Sequence, residues 1–166
     1  MRILGIDPGL ATVGLGLIES TSPYDIKAVD WLIISTAAGL PISDRLEEIH
    51  TDLSAFIKET KPDLAVVEKL YFETNVRTAM DVAQARGVIL LTVKEHNIPL
   101  LEPTPLQLKS AITSDGQADK KQMQEMIMRL LQLQEIPKPD DAADALGLAI
   151  YGAVHQDHHT IKSPSV

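Results

Sequence analysis

Residues 3–9 read ILGIDPG, a short apolar run that stops at an acidic residue. Ile3, Leu4 and Ile6 are typical of a buried strand, and the Asp-Pro-Gly that follows is favourable turn chemistry. An Asp in such a turn often hydrogen-bonds its own backbone, so Asp7 taken alone indicates a turn rather than a site. Its meaning depends on which other acidic residues the fold brings beside it.

The pattern of strands and turns continues through residue 36 and then gives way to strands that alternate with helices. The predicted strands are residues 2–7, 13–19, 26–36, 63–68 and 98–103. The predicted helices are one from Ser43 to before Lys61 and those over residues 76–95, 104–112, 118–133 and 140–155. This order predicts an α/β fold with a five-stranded mixed sheet flanked by helices.

Two of the predicted strands end in carboxylates. Asp7 closes the first strand, and Glu68 closes the fourth, within the segment DLAVVE. The first and fourth strands are neighbours in such a sheet, and open α/β sheets bind ligands beyond the ends of their strands. We therefore expect Asp7 and Glu68 to lie close together at one edge of the sheet.

The final predicted helix carries further acids near its start, in the segment DDAADALGLAI. Asp141 and Asp144 are three residues apart and so share a helix face. Asp140 follows a proline-rich connector, which favours a role as N-cap. Asp144 lies between alanines in an apolar helix, where a carboxylate is costly unless it is paired or bound to a cation. Because few Lys or Arg residues are close in sequence, we expect a metal ion as its partner.

Four carboxylates from two strand ends and one helix predict a site for divalent cations. Oxygen ligands of this kind suit Mg²⁺ or Mn²⁺, which retain water ligands and bind substrate phosphate. Two such ions, about 3.5–4 Å apart, hold the attacking and leaving oxygens of a phosphodiester in line. The pattern therefore indicates phosphodiester hydrolysis.

Length and composition favour one cytoplasmic domain. We expect the domain over residues 1–155 and a disordered polar tail over residues 156–166. The absence of Cys, of a leader and of an apolar run long enough for a bilayer favours the cytoplasm and no membrane partner. The net charge of −8 is unfavourable for binding DNA, but residues 69–129 hold 8 Lys and Arg against 7 Asp and Glu. Any basic surface is therefore expected in the middle of the chain.

Four segments together resemble the RuvC-type crossover junction endodeoxyribonucleases. They are ILGIDPGLATVGLGLIE, PDLAVVEKLYFETNVRTAMDVAQARGVILL, PLQLKSAITSDGQADKKQMQEMI and DDAADALGLAI, in that order within residues 1–155. The resemblance implies a ribonuclease-H-like fold, a homodimer, and paired symmetric nicking of four-way Holliday junctions in DNA recombination and repair. It also implies two Mg²⁺ per active site with Mn²⁺ as a substitute, 5′-phosphate and 3′-hydroxyl products, and a branch-migration helicase as partner.

By the same resemblance, Asp7, Glu68, Asp141 and Asp144 match the family's catalytic, metal-binding acids. The spacing to the two alanines of DAAD selects Asp141 over Asp140 for this role. Each acid alone is weak evidence, since an acidic residue at a strand end or helix start is common. The four together, at these places in the predicted fold, make the prediction specific.

The resemblance further implies contacts with DNA. Tyr71 and Phe72 lie where the family carries an aromatic side chain that wedges against bases, although a hydrophobic contact that anchors the following helix explains them equally well. Lys109 and Lys120 match the family's lysines that face DNA. The remaining candidates for phosphate contact are Lys121, Arg77, Lys69 and Arg86.

Two other functions remain open on the sequence alone. A nucleotide-phosphate-binding domain of the actin and sugar-kinase class also begins with a strand that runs into an Asp-x-Gly turn, but those proteins need two such domains. A non-catalytic DNA-binding module, or a relative of the same fold that acts on RNA, would keep the basic residues without cutting junctions.

Overall fold

The computed structural model describes residues 1–23, 25–70 and 76–155, and for residues 76–78 the backbone alone. The strands are β1 (Arg2–Asp7), β2 (Thr12–Ser22), β3 (Asp25–Ser35), β4 (Leu64–Val67) and β5 (Leu100–Leu101). The helices are α1 (Ile42–Thr60), α2 (Val76–Glu95), α3 (Pro105–Thr113), α4 (Lys120–Leu130) and α5 (Asp140–His155). Within these described ranges, no helix has the length and apolar character needed to cross a membrane.

The strands form one mixed sheet in the order β3-β2-β1-β4-β5, which confirms the predicted fold class. The pairs β1–β2 and β2–β3 are antiparallel, whereas β4 pairs in parallel with both β1 and β5. Ile6 is opposite Val67 in the β1–β4 register, so the next residue on each strand, Asp7 and Glu68, lies at the same edge. The predicted neighbourhood of these two acids is confirmed.

Alternating side chains of β1 supply two separate cores, one on each face of the sheet. Ile3 packs in the core that includes Leu108 of α3, Ile127 of α4 and Leu146 of α5. The side chains of Leu4 and Ile6 point the other way, into the core beneath α1 and α2. This arrangement follows from the two-residue period of a strand, which sends successive side chains to opposite faces.

Glycines in β1 and β2 let α5 approach the sheet backbone to backbone. A Cβ atom on Gly14 would lie 2.0 Å from the carbonyl oxygen of Asp141, and one on Gly5 would lie 1.9 Å from that of Ala145. Real Cβ atoms do not come so close to backbone atoms, so any side chain here displaces the helix. The glycines therefore place the acidic first turns of α5 over the end of β1.

Several element boundaries differ from the sequence prediction. The strand β5 has two residues rather than six, because its pairing with β4 reaches only Ala65 and Val66. The helix α4 ends at Leu130 rather than at residue 133, and Gln132 beyond it adopts a positive φ of 54° that an α-helix cannot contain. The predicted tail over residues 156–166 lies outside the described residues.

Candidate active site

Three of the predicted acids line one cavity of about 220 Å³ at the edge of the sheet. Asp7 comes from the end of β1, Glu68 from the residue after β4, and Asp144 from the second turn of α5. The remaining lining residues are Pro105, Leu108, Lys109, Lys120, Met123 and Leu148. Helices α3 and α4 thus supply two ammonium groups, and apart from the three acids the other lining residues are apolar.

Burial in this cavity makes the ionised form of Asp7 less favourable. Burial is the main cause that raises the pKa of Asp7 from its ordinary value of 3.8 to about 7, and the nearby carboxylates of Asp144, Glu68 and Asp141 contribute to the same shift. Lys120 opposes the shift but does not cancel it. A carboxylate at this strand end is therefore held in an environment that favours a proton or a cation beside it.

The other two lining acids show the same effect in weaker form. Burial raises the pKa of Glu68, the negative charge of Asp144 adds to the shift, and Lys109 opposes it. Burial also raises the pKa of Asp144, and Lys120 is the charge that opposes this shift most strongly. The cavity therefore holds more negative charge than its two lysines balance.

Asp144 has a cationic side chain as a partner, which local sequence does not predict. The ammonium of Lys120 lies 3.7 Å from Asp144 Oδ2 and 2.9 Å from Asp140 Oδ2. The two partners are far apart in sequence and meet because α4 packs beside α5. These contacts raise the pKa of Lys120, chiefly through its hydrogen bond to Asp140.

Asp140 is the first residue of α5 rather than its N-cap, so the predicted cap is wrong by one position. Its exposed carboxylate accepts hydrogen bonds from Lys120 and, at 3.2 Å, from Gln124 Nε2. These donors lower the pKa of Asp140, with Lys120 as the main cause. Asp140 thus holds Lys120 at the mouth of the cavity and does not line the cavity itself.

Asp141 lies beside the cavity and is not among its lining residues. It is half-buried, one turn before Asp144 on the same face of α5, and its backbone carbonyl faces Gly14. Its carboxylate is close enough to raise the pKa of Asp7. The structure therefore brings all four predicted acids into one neighbourhood, with three of them in the cavity and the fourth at its side.

The donor set fits hard divalent cations. Within residues 1–23, 25–70 and 76–155, no three His, Asp or Glu side chains are close enough to hold an ion as they stand. Mutually repelling carboxylates are expected to lie further apart without a cation than around one. Three desolvated carboxylates that share raised pKa values, with no His or Cys beside them in the cavity, are the ligands that Mg²⁺ and Mn²⁺ prefer.

Of the residues predicted to contact DNA, some line the cavity, others are exposed outside it and others are not described. Lys109 and Lys120 both line the cavity, on α3 and α4 respectively. Lys121 is 80% exposed on the first turn of α4, with Glu125 Oε1 at 3.9 Å from its ammonium. The residues Tyr71 and Phe72 and the side chain of Arg77 lie outside the described residues.

Arg86 is turned inward, where its guanidinium contacts Glu102 and the backbone of Glu68. From the sequence, Arg86 is a candidate for phosphate contact, whereas in the structure its guanidinium is engaged within the protein. Its pairing depends on the tertiary fold, because Glu102 follows β5 whereas Arg86 lies in α2. Lys69 keeps an exposed side chain, and its backbone N–H donates to the carbonyl of Pro103 at 2.8 Å.

Comparisons with known proteins agree on one family. The family model described as crossover junction endodeoxyribonuclease RuvC matches residues 3–152. A protein of that description from Caldicellulosiruptor saccharolyticus is 47% identical over 150 residues, which cover 90% of this chain and 90% of the relative.

Two solved structures are similar over nearly the whole chain. The structure of Thermus thermophilus RuvC has a TM-score of 0.87 at 28% identity, covering 96% of this chain and 98% of that one. The structure of T. thermophilus RuvC in complex with a Holliday junction substrate has a TM-score of 0.86 at 26% identity, with the same coverage.

Proposed function

The chain belongs to the RuvC family of crossover junction endodeoxyribonucleases, and we propose that its acidic cavity is where it cuts four-way DNA. The fold is ribonuclease-H-like, and the activity is resolution of Holliday junctions by hydrolysis of phosphodiester bonds. One observation carries the assignment of the site. Carboxylates from β1, β4 and α5 converge on one cavity, in which the pKa of Asp7 is raised to about 7.

We propose that Asp7, Glu68, Asp141 and Asp144 hold two Mg²⁺ ions, for which Mn²⁺ can substitute. The support is the hard oxygen donor set and its unbalanced negative charge. Ions bound there supply a nucleophilic water and charge stabilisation for a cut that leaves 5′-phosphate and 3′-hydroxyl ends. Asp141 takes part from beside the cavity, where it already acts on the pKa of Asp7.

The lysines of the cavity bind the scissile phosphate. Lys109 and Lys120 place two ammonium groups opposite the acids, where a phosphate that approaches the carboxylates meets positive charge. Lys120 then exchanges its contacts with Asp140 and Asp144 for contacts with DNA. The apolar side chains of Leu108 and Leu148 exclude water from one wall, which strengthens each electrostatic interaction inside.

The assembly proposed around this site follows from the substrate. A four-way junction offers two equivalent strands, so a homodimer with two-fold symmetry matches two symmetric nicks. Tyr71 and Phe72 contact bases near the branch point, and Arg77 and Lys121 contact phosphates. A branch-migration helicase delivers the junction, and the reaction takes place in the cytoplasm.

The test is Asp7→Asn in a cleavage assay on a synthetic four-way junction with Mg²⁺. The variant keeps the size of the side chain and removes a negative oxygen ligand. We expect cleavage to fall by about 10³-fold or more, while junction binding in EDTA stays within about threefold of wild type. Asp52→Asn is the matched control, because Asp52 is exposed on α1 on the opposite face of the sheet.

A variant that cuts within about tenfold of wild type would overturn the assignment of Asp7. Wild-type protein that binds junctions but cuts nothing with Mg²⁺ or Mn²⁺ would favour the non-catalytic module. Cleavage of RNA alone would favour the relative that acts on RNA.

A further inference from the structure

One guanidinium joins the ends of two strands beside the cavity. Arg86 Nε donates to the backbone carbonyl of Glu68 at 2.9 Å, and its Nη2 atom is paired with Glu102 Oε2. The Arg86 side chain is 16% exposed and that of Glu102 is 35% exposed, so the pair is largely screened from solvent. Arg86 itself is not a lining residue of the cavity.

These contacts lie just beyond the last paired residues of β4. The paired registers of β4 end at Val67 with β1 and at Val66 with β5, so Glu68 lies just beyond both ladders. The next backbone contact is from Lys69 N–H to Pro103 O at 2.8 Å. Between these two points, Arg86 supplies the donor to the Glu68 carbonyl.

The same contacts reach the segment that begins α3. Glu102 is followed by Pro103 and by Thr104, whose side chain accepts from Gln107 N in a capping box at the start of α3. Further along α3, Lys109 lines the cavity and opposes the rise in the pKa of Glu68. A displaced Glu102 would therefore move both sides of the cavity.

We propose that Arg86, with Glu102 as its counter-ion, is a positioning residue that aims the Glu68 carboxylate into the cavity. The proposal rests on the proposed function of that cavity. Arg86 acts through the backbone of Glu68 and the start of α3, and it touches neither substrate nor metal. Arginine suits this task because its rigid fork can donate to two acceptors at once and stays charged, whereas lysine offers one nitrogen.

The chain contains a matched control. Arg2 also divides its guanidinium between a carboxylate and a backbone carbonyl, with Nε at 3.0 Å from Glu19 Oε1 and Nη1 at 2.9 Å from Thr60 O. These partners lie at the opposite end of β1 from Asp7. Arg2→Met and Arg86→Met therefore remove the same kinds of contact, the first far from the acids and more exposed, the second beside the acids and less exposed.

The experiment compares Arg86→Met, Arg86→Lys and Arg2→Met in the full chain. For both Arg86 variants we expect kcat on a four-way junction to fall about 10–100-fold, with KM within about threefold of wild type. The Mg²⁺ concentration for half-maximal rate should rise. Without metal or DNA, hydrogen exchange of the Lys69 amide should accelerate in the Arg86 variants, and Arg2→Met should change none of these quantities.

Several outcomes would overturn the proposal. One is that hydrogen exchange of the Lys69 amide is unchanged in Arg86→Met. The others are that Arg86→Lys keeps full activity, or that Arg2→Met loses as much kcat as Arg86→Met. If Arg86→Met does not fold, Glu102→Gln replaces it, and a kcat and Lys69 exchange equal to those of wild type would then contradict the proposal. A wild-type protein that cuts no junction would defeat the proposed function instead, while Lys69 exchange would still report whether Arg86 holds the two strand ends.

Discussion

The carboxylates at the two ends of β1 differ in burial and in the partners that they have. At the first end, the Arg2 side chain pairs with Glu19 Oε1 at 3.0 Å, and its backbone N–H donates to Asp63 Oδ2 at 2.7 Å. Both carboxylates are near the surface and each has a donor within hydrogen-bond distance. An exposed ion pair such as Arg2–Glu19 contributes about 0–1 kcal/mol, and neither carboxylate calls for a further partner.

At the other end of the same strand, Asp7 lies with Glu68 and Asp144 in a half-buried cavity. Burial is the main cause of the raised pKa of each of these three carboxyl groups. In the described part of the chain, Lys120 contacts one of the three directly, Asp144, and it shares its ammonium with Asp140.

The difference separates charges that stabilise the fold from charges kept for function. The six residues of β1 place paired charges at one end and unbalanced carboxylates at the other. A fold selected for stability alone would pair or remove acids that are desolvated together. The unbalanced end is therefore the one to which the proposed function assigns the binding of cations and a phosphate.

The largest expected effect comes from forcing α5 away from the acidic end. Gly14→Ala would place a Cβ atom 2.0 Å from the backbone oxygen of Asp141, and backbone atoms cannot yield as a side chain can. We expect stability to fall by about 3 kcal/mol or more in urea unfolding, and cleavage to be lost in the folded fraction.

Gly152→Ala is the matched variant near the other end of α5. Its Cβ atom would meet side chains, namely Ile3 Cγ2 at 2.7 Å and Val66 Cγ2 at 2.8 Å. We expect about 1–3 kcal/mol of destabilisation from overpacking, with cleavage retained by the folded protein. If cleavage falls equally in Gly14→Ala and Gly152→Ala, the position of α5 over the acidic end of β1 is not what cleavage requires.

A smaller effect is expected in the pH dependence of stability of the metal-free protein. The unfolded chain ionises Asp7 near pH 3.8, whereas the folded chain holds its proton to about pH 7. The contribution of Asp7 to the free energy of unfolding is therefore fully present below pH 3.8 and is lost as pH rises through 7. The expected loss between pH 5 and pH 8 is on the order of a few kcal/mol, measured by urea unfolding in EDTA.

Asp7→Asn removes this titration and should flatten the curve. At pH 8 without metal, the variant should be more stable than wild type, because it carries no desolvated negative charge. A curve of unchanged slope in the variant would show that the charge at this end is already balanced.

The smallest effect concerns Lys120 and the salt dependence of binding. Lys120→Ala should weaken junction binding about tenfold and reduce the slope of log K against log salt by about 1, since one fewer phosphate is neutralised. Lys58→Ala is the control, because Lys58 is exposed in the last turn of α1, near the paired end of the sheet. An unchanged slope for Lys120→Ala would remove it from the DNA surface.

The adjacency of the first and fourth strands and the meeting of Asp7 with Glu68 could be predicted from the sequence. Two apolar runs that each end in an acid become parallel neighbours whose ends share an edge. The helical spacing in DAAD likewise predicts that Asp141 and Asp144 share a face of α5. These features depend on local periodicity, which the sequence carries directly.

The partners of the charged groups could not be predicted in the same way. Lys120 meets Asp140 and Asp144 because α4 packs on α5, and Arg86 meets Glu102 because α2 passes the ends of β4 and β5. Both pairings depend on how separate elements pack, for which local sequence contains no signal.

We propose that acids from the ends of β1 and β4 and from α5 converge to bind divalent cations. Anomalous diffraction from crystals of the wild-type protein soaked in Mn²⁺ would locate such ions. We predict Mn²⁺ peaks in the cavity within about 2.5 Å of carboxylate oxygens of Asp7, Glu68 and Asp144. A cavity without Mn²⁺ at a saturating concentration, or Mn²⁺ bound only at other acids, would contradict the account.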